Sequence, residues 1–121
     1  MLKKYALEYY REGYNCSQCI LKAAEKVYKV KVTKEMIKMC SAVNMGFGTG
    51  GICSTIIGGI MVFGLVFDEN TAKSMRLKLI VRFSEKYGCT ECARLQKKVG
   101  GCEKLISDTA DMIEMIIKEH L

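Results

Sequence analysis

Apolar residues recur every three or four positions along most of the chain, and glycines break the pattern at a few points. Proline is absent and strand-like alternation is scarce, so the sequence predicts helices punctuated by glycine. Leu2 to Arg11 forms a first helix, ended by Gly13. Asn15 is a good N-cap for a second, from Cys16 to about Tyr28. Its residues Cys16, Cys19, Ile20, Ala23, Ala24 and Val27 share one face. Thr33 caps a third, with Lys34 to Asn44 helical and Met36, Ile37, Cys40 and Val43 turned inward. A glycine loop follows, then an apolar helix from Gly51 that bears Cys53. Asp68 caps a long helix to Tyr87, with Ala72, Met75, Leu79, Ile80 and Phe83 inward and Gly88 as its stop. Thr90 to Lys97 gives a short helix. Gly100 and Gly101 separate it from the last, Cys102 to about Lys118, whose stripe is Leu105, Ile106, Ala110, Ile113 and Ile117.

The sum is an all-α fold, a compact bundle of about five to seven helices around a central apolar, glycine-rich helix. No repeat, linker or second domain is visible, so residues 1–121 read as one domain.

Between Cys40 and Phe67 no residue is charged. The stretch Met45 to Phe67 is long enough to cross a bilayer, which needs about 20 apolar residues. Yet Gly46, Gly48, Gly50 and Gly51 crowd its start, and lipid-exposed loops do not occur in the hydrocarbon layer. Ile52 to Phe67 therefore reads as a buried helix and not a membrane segment.

The net charge is +6, from 19 Lys and Arg against 13 Asp and Glu. The basic residues are scattered at helix-surface spacing, without the basic tract interleaved with aromatics that grips nucleic acid. The N-terminus carries no apolar run of signal-peptide length. That places the chain in the cytoplasm, where structural disulfides are rare and clustered cysteines lean towards metal or redox work.

Cysteine is where the chemistry concentrates. There are seven: Cys16, Cys19, Cys40, Cys53, Cys89, Cys92 and Cys102. Two pairs, Cys16 with Cys19 and Cys89 with Cys92, stand as C-x-x-C. Residues three apart on a helix face the same way, so each pair suits one metal or one disulfide. A helix start offers unpaired N–H groups and a positive dipole end, which stabilise a thiolate or an anionic cluster. A four-cysteine zinc site would have to be assembled by the fold, because far more than the ~15–20 residues of a zinc ribbon separate the pairs. No histidine follows either pair, so covalent c-type haem attachment is excluded. The one histidine, His120, sits beside the terminus. Cys40 reads as a core residue.

Gly46-Phe47-Gly48-Thr49-Gly50-Gly51 matches G-x-G-x-x-G, but the dinucleotide fingerprint needs a strand before it and Lys34 to Asn44 reads as helix. What remains is a glycine-rich approach to a helix start, with Gly50 and Gly51 presenting N–H groups to the Cys53 sulfur or to a cofactor bound there.

These residues carry a resemblance. The chain resembles the redox-active family named for its Cys, Gly-Cys-Ala-x-x-Gly, Cys, Cys pattern, over most of its length. The first family cysteine resembles Cys16, in Asn15-Cys16-Ser17-Gln18. The second resembles Cys53, in Gly51-Ile52-Cys53 with Gly58-Gly59 after it. The third resembles Cys92, in Cys92-Ala93-Arg94-Leu95, and the fourth Cys102. The family places small Gly and Ala residues after its central cysteine; here Ser54 and Thr55 stand there and narrow the approach to the sulfur. Cys19 and Cys89 are additions that complete the C-x-x-C pairs. The resemblance implies a small helical domain with a redox role. Relatives attached to electron-transfer modules favour a cluster over a simple dithiol.

The expectation is a redox or electron-transfer protein in which Cys16, Cys53, Cys92 and Cys102 ligate an iron–sulfur cluster, with Cys19 and Cys89 as alternates. Its partner would be an electron-transfer protein. Without metal, the same four cysteines would be the redox residues of thiol–disulfide chemistry; zinc is a further alternative. A non-redox helical interaction protein, or a membrane-associated one, would also use the uncharged run. A glycine-rich apolar helix can pack on its own copy as a homodimer. No general base accompanies the thiols, so the pattern suits an accessory of an oxidoreductase and does not specify catalysis.

Overall fold

The computed structural model describes residues 1–121 and is all-helical, with no strand. Seven α-helices run in chain order: α1 Leu2–Arg11, α2 Cys16–Tyr28, α3 Lys34–Met39, α4 Ser54–Val66, α5 Glu69–Tyr87, α6 Cys92–Val99 and α7 Cys102–Glu119. Between α3 and α4 the glycine segment Gly46–Gly50 closes into a wide π-type turn. Its bonds run from Gly50 N to Met45 O and from Gly51 N to Gly46 O.

Local chemistry sets most of these boundaries. Asn15 accepts hydrogen bonds from the Ser17 and Gln18 amides, and the Gln18 side chain bonds back to the Asn15 amide, a complete capping box worth about 1 kcal/mol. Thr33 caps α3 and Asp68 caps α5. Gly88, left-handed at φ 75°, stops α5 in the position where a side chain would be strained.

The third helix is shorter than the pattern predicts. It ends at Met39 instead of continuing to Asn44, none of its residues is buried, and Cys40 is its C-cap. The reason is tertiary. Asn15 Nδ2 donates to Cys40 O at 2.9 Å, and Ser17 Oγ donates to Val43 O at 2.8 Å. Those carbonyls accept from the start of α2, and Cys40 O also closes a turn with Val43 N at 3.0 Å in place of a further helical turn. Cys40 is still buried, in the turn that follows α3.

Buried residues of α1, α2 and α4 to α7 form one continuous core cluster, including Ile20, Ile56, Phe63, Leu79, Phe83, Leu95 and Ile113. α4 packs against α2, α5 and α7. At 13 residues it is about 20 Å long, against about 30 Å of hydrocarbon, and no helix is long and apolar enough to cross a membrane. Two glycines allow its close packing. A methyl group on Gly58 would lie 3.0 Å from Ser17 O, and one on Gly59 would lie 2.8 Å from side-chain carbons of Ile113 and Leu79. The far end of α5 is fastened to α7, where the Tyr87 hydroxyl donates to Asp108 and Lys104 Nζ pairs with the same carboxylate at 3.2 Å.

Gly58→Ala should destabilise the fold by about 1–3 kcal/mol, because its new methyl meets the α2 backbone, which cannot move aside cheaply. Gly64→Ala, where a methyl meets nothing within 4 Å, should stabilise by up to about 1 kcal/mol through helix propensity. Urea denaturation of the two variants checks both signs.

Candidate functional site

Four helix starts deliver four cysteines to one place. Cys16 is the first residue of α2, immediately after the Asn15 cap. Cys92 and Cys102 are the first residues of α6 and α7. Cys53 is the N-cap residue of α4. All four line a single cavity of about 540 Å³, together with Tyr10, Ser54, Thr55 and Gln96. Cys16 and Cys53 are buried, while Cys92 and Cys102 are half-buried.

A short backbone pairing fixes two of them. Cys53 N donates to Thr90 O at 2.8 Å and Cys92 N donates to Gly51 O at 2.6 Å, forming an antiparallel bridge centred on Ile52 and Glu91. Gly50, at φ 75°, lets α6 approach this bridge, since a methyl there would lie 2.8 Å from Ala93 Cβ. Cys102 follows the left-handed Gly100 and is reached by Gln96 Nε2 at 3.5 Å from its sulfur.

The caps divide in a telling way. Side chains cap α2, α3 and α5. No side chain caps α1, nor α4, α6 or α7, and the first turns of the last three open on the cavity beside Cys53, Cys92 and Cys102. Every helix start leaves N–H groups without an intrahelical partner. At three of the four starts here those groups are not taken by a capping side chain; at α6 the Cys92 amide is used by the bridge to Gly51, and at α4 the Thr55 and Ile56 amides face the Cys53 sulfur.

The thiols are electrostatically crowded. Burial, then the neighbouring Cys53 and Cys102, push the Cys16 thiol up to about 11, while the Ser54 and Thr55 hydroxyls pull the other way. Burial also raises Cys53, against the hydroxyl of Thr55 and the amides of Thr55 and Ile56, which favour its thiolate. Cys92 is raised by burial and then by Cys53 and Cys102. Tyr10 is raised by burial and by Cys102 beside it. The arrangement thus resists several free thiolates at once and favours any occupant that neutralises them. No three Cys, His, Asp or Glu side chains stand close enough to hold a single metal ion.

Each C-x-x-C pair is split by the fold. Cys19 lies one turn deeper than Cys16, fully buried, and its sulfur donates to Cys16 O at 3.3 Å. Cys89 is buried with its sulfur near Tyr87 O at 3.8 Å. Neither lines the cavity, and all seven cysteines are free thiols. Cys40 faces a separate apolar groove with Met36, Met39 and Met61. Gly50 and Gly51 also stand outside the cavity wall and act through the bridge that seats Cys53 against Cys92. Tyr10, Thr55 and Gln96 enter the site without a motif to mark them. The sequence signal for an open site was a cysteine at a helix start with no Ser, Thr, Asp or Asn before it, as at Cys92 and Cys102.

The fold and the site define a helical protein with four cysteines gathered from four helix starts. The family described as "Putative redox-active protein (C_GCAxxG_C_C)" matches residues 14–116, and the chain belongs to that family. No curated protein matches the chain, and no solved structure does.

In metal-free protein, timed alkylation near neutral pH followed by mass spectrometry should label the half-buried Cys92 and Cys102 first. Cys19, fully buried and pushed up to about 12 by burial and by Cys16, should react last. Labelling of Cys19 as fast as Cys92 would contradict this geometry. Because the Cys16 thiol is raised from an ordinary 9.0 to about 11, its contribution to stability is complete below pH 9.0. That contribution is lost as pH rises through about 11.

Proposed function

We propose that this chain is a redox protein that holds an iron–sulfur cluster on Cys16, Cys53, Cys92 and Cys102 and exchanges single electrons with a partner protein. The observation that carries this reading is convergence: four cysteines scattered over the sequence line one cavity, each from the start of a different helix. Four cysteine thiolates are the standard ligand set of such clusters. When bound, the cluster supplies one-electron oxidation and reduction.

The surroundings support an anionic occupant. Uncapped first turns of α4, α6 and α7 open on the cavity, and the Gln96 amide donates towards Cys102. Burial of Cys16 and Cys53 would shield such an occupant from water, while Cys92 and Cys102 lie towards the surface, where an electron partner can approach.

Metal-free thiol–disulfide exchange fits less well. Its attacking species is a thiolate. Burial raises the thiols of Cys16, Cys53 and Cys92 and leaves little thiolate there at neutral pH.

Protein purified without oxygen, or reconstituted with ferrous iron and sulfide, should show visible absorbance with matching iron and acid-labile sulfide. Replacing any one of the four cavity cysteines by Ser should lower all three signals together, whereas Cys19→Ser and Cys89→Ser should keep most of them. Undiminished absorbance and iron in all four cavity variants would refute the ligand assignment.

A further inference from the structure

A buried hydroxyl without a partner is rare in a folded protein and asks for an explanation. Three occur in this chain: Tyr28, Ser54 and Thr109. Of these only Ser54 lines the cysteine cavity.

Its position removes the usual remedies. A serine inside a helix commonly donates to the carbonyl four residues back. Ser54 is the first residue of α4, so the residue four back, Gly50, belongs to the π-type turn and offers no helical carbonyl. The side chain is 1 % exposed, which shuts out bulk water as a partner. Cys53 precedes it in the chain. Cys16 faces it from α2, near enough for the Ser54 hydroxyl to favour the Cys16 thiolate although no hydrogen bond to the neutral thiol is closed; Gly58, one turn further along α4, lets the two helices touch at Ser17.

An unmet hydroxyl costs stability. Ser54 is the one unpartnered buried hydroxyl on the cavity wall, so its acceptor would be a sulfur that becomes ionised when the cavity is occupied. A thiolate bound to a cluster is a strong acceptor and stays ionised. Hydrogen bonds to cluster sulfurs stabilise the more negative, reduced state and raise the reduction potential.

We infer that the Ser54 hydroxyl donates a hydrogen bond to the ligating sulfur of Cys16, and so sets the reduction potential of the site without being a ligand itself. The inference rests on the cluster reading and adds a residue to it. It also gives a role to a departure in this sequence: where the family pattern has Ala after its central cysteine, this chain has a hydroxyl facing the Cys16 sulfur.

The test compares wild type, Ser54→Ala and Ser54→Thr, each reconstituted with ferrous iron and sulfide without oxygen. Ser54→Ala should keep the iron and sulfide content of wild type. Its midpoint potential should move to more negative values, and an exchangeable-deuteron coupling seen by pulsed EPR in the reduced wild-type cluster should disappear. Ser54→Thr, which keeps the hydroxyl, should restore the coupling and at least part of the shift. The metal-free Ser54→Ala protein should unfold at a higher urea concentration than metal-free wild type, because an unmet buried hydroxyl is gone. A purely structural serine would give the reverse: a lower urea midpoint, with potential and coupling unchanged. If Ser54→Ala loads a cluster of wild-type potential, this inference fails and the cluster reading stands. If wild type itself takes up no iron and sulfide, the cluster reading fails and the assignment of Ser54 falls with it.

Discussion

Two backbone hydrogen bonds, Cys53 N to Thr90 O and Cys92 N to Gly51 O, hold together parts of the chain that no helix connects. They form the single β-bridge in an otherwise helical protein. Everything at the site depends on them. They set the entry to α4 beside the entry to α6, which puts Cys53 and Cys92 on one wall. They also define what the glycine segment is for. A wide turn that doubles back through left-handed Gly46, Phe47, Gly48 and Gly50 brings Gly51 into register with Cys92, and no bulky residue could replace Gly50 against Ala93. The segment that looks like a phosphate cradle in one dimension is, in three, the clasp that pairs two cysteines.

Around this clasp the protein accepts an electrostatic arrangement that does nothing for its own stability. Neutral thiols are buried near one another, three helix starts lack capping side chains, and the Ser54 hydroxyl lacks an acceptor. Each of these is a small cost when the cavity is empty, of the order of 1 kcal/mol for a missing cap. Away from the cavity the same chain caps α3 and α5 and stops α5 with a left-handed glycine. An occupant that supplies negative charge would turn the Ser54 hydroxyl and the uncapped first turns on the cavity wall from costs into contacts.

How much of this was legible in the sequence follows from the range of the forces involved. Helix boundaries written in local chemistry read correctly: Asn15 starts α2, Asp68 starts α5, and Gly88 ends it. The stripes on α5 and α7 lead to the right core residues, Met75, Leu79, Phe83, Leu105, Ile106 and Ile113 among them. The end of α3 did not read correctly. It is decided by Asn15 and Ser17 reaching across to the carbonyls of Cys40 and Val43, about 25 residues away, and nothing local marks those carbonyls. The β-bridge was hidden for the same reason, being one residue pair long with no alternating pattern on either side.

The C-x-x-C pairs show the limit of reading spacing as chemistry. A separation of three residues puts two side chains on one face of a helix, but one turn apart along its axis. At the start of α2 that turn separates two environments: Cys16 faces the cavity, while Cys19 faces a core of Ala23, Ala24 and Ile20 and finds only the Cys16 carbonyl. Cys89 and Cys92 are divided by the bridge itself, since Glu91 is extended and α6 begins only at Cys92. The pattern spread over four helices is the one that the fold collects, because each of those cysteines occupies the same structural position, the entry to a helix. Equivalent positions on four helices bring their cysteines to the wall of one cavity, and proximity along the chain offers no substitute for that.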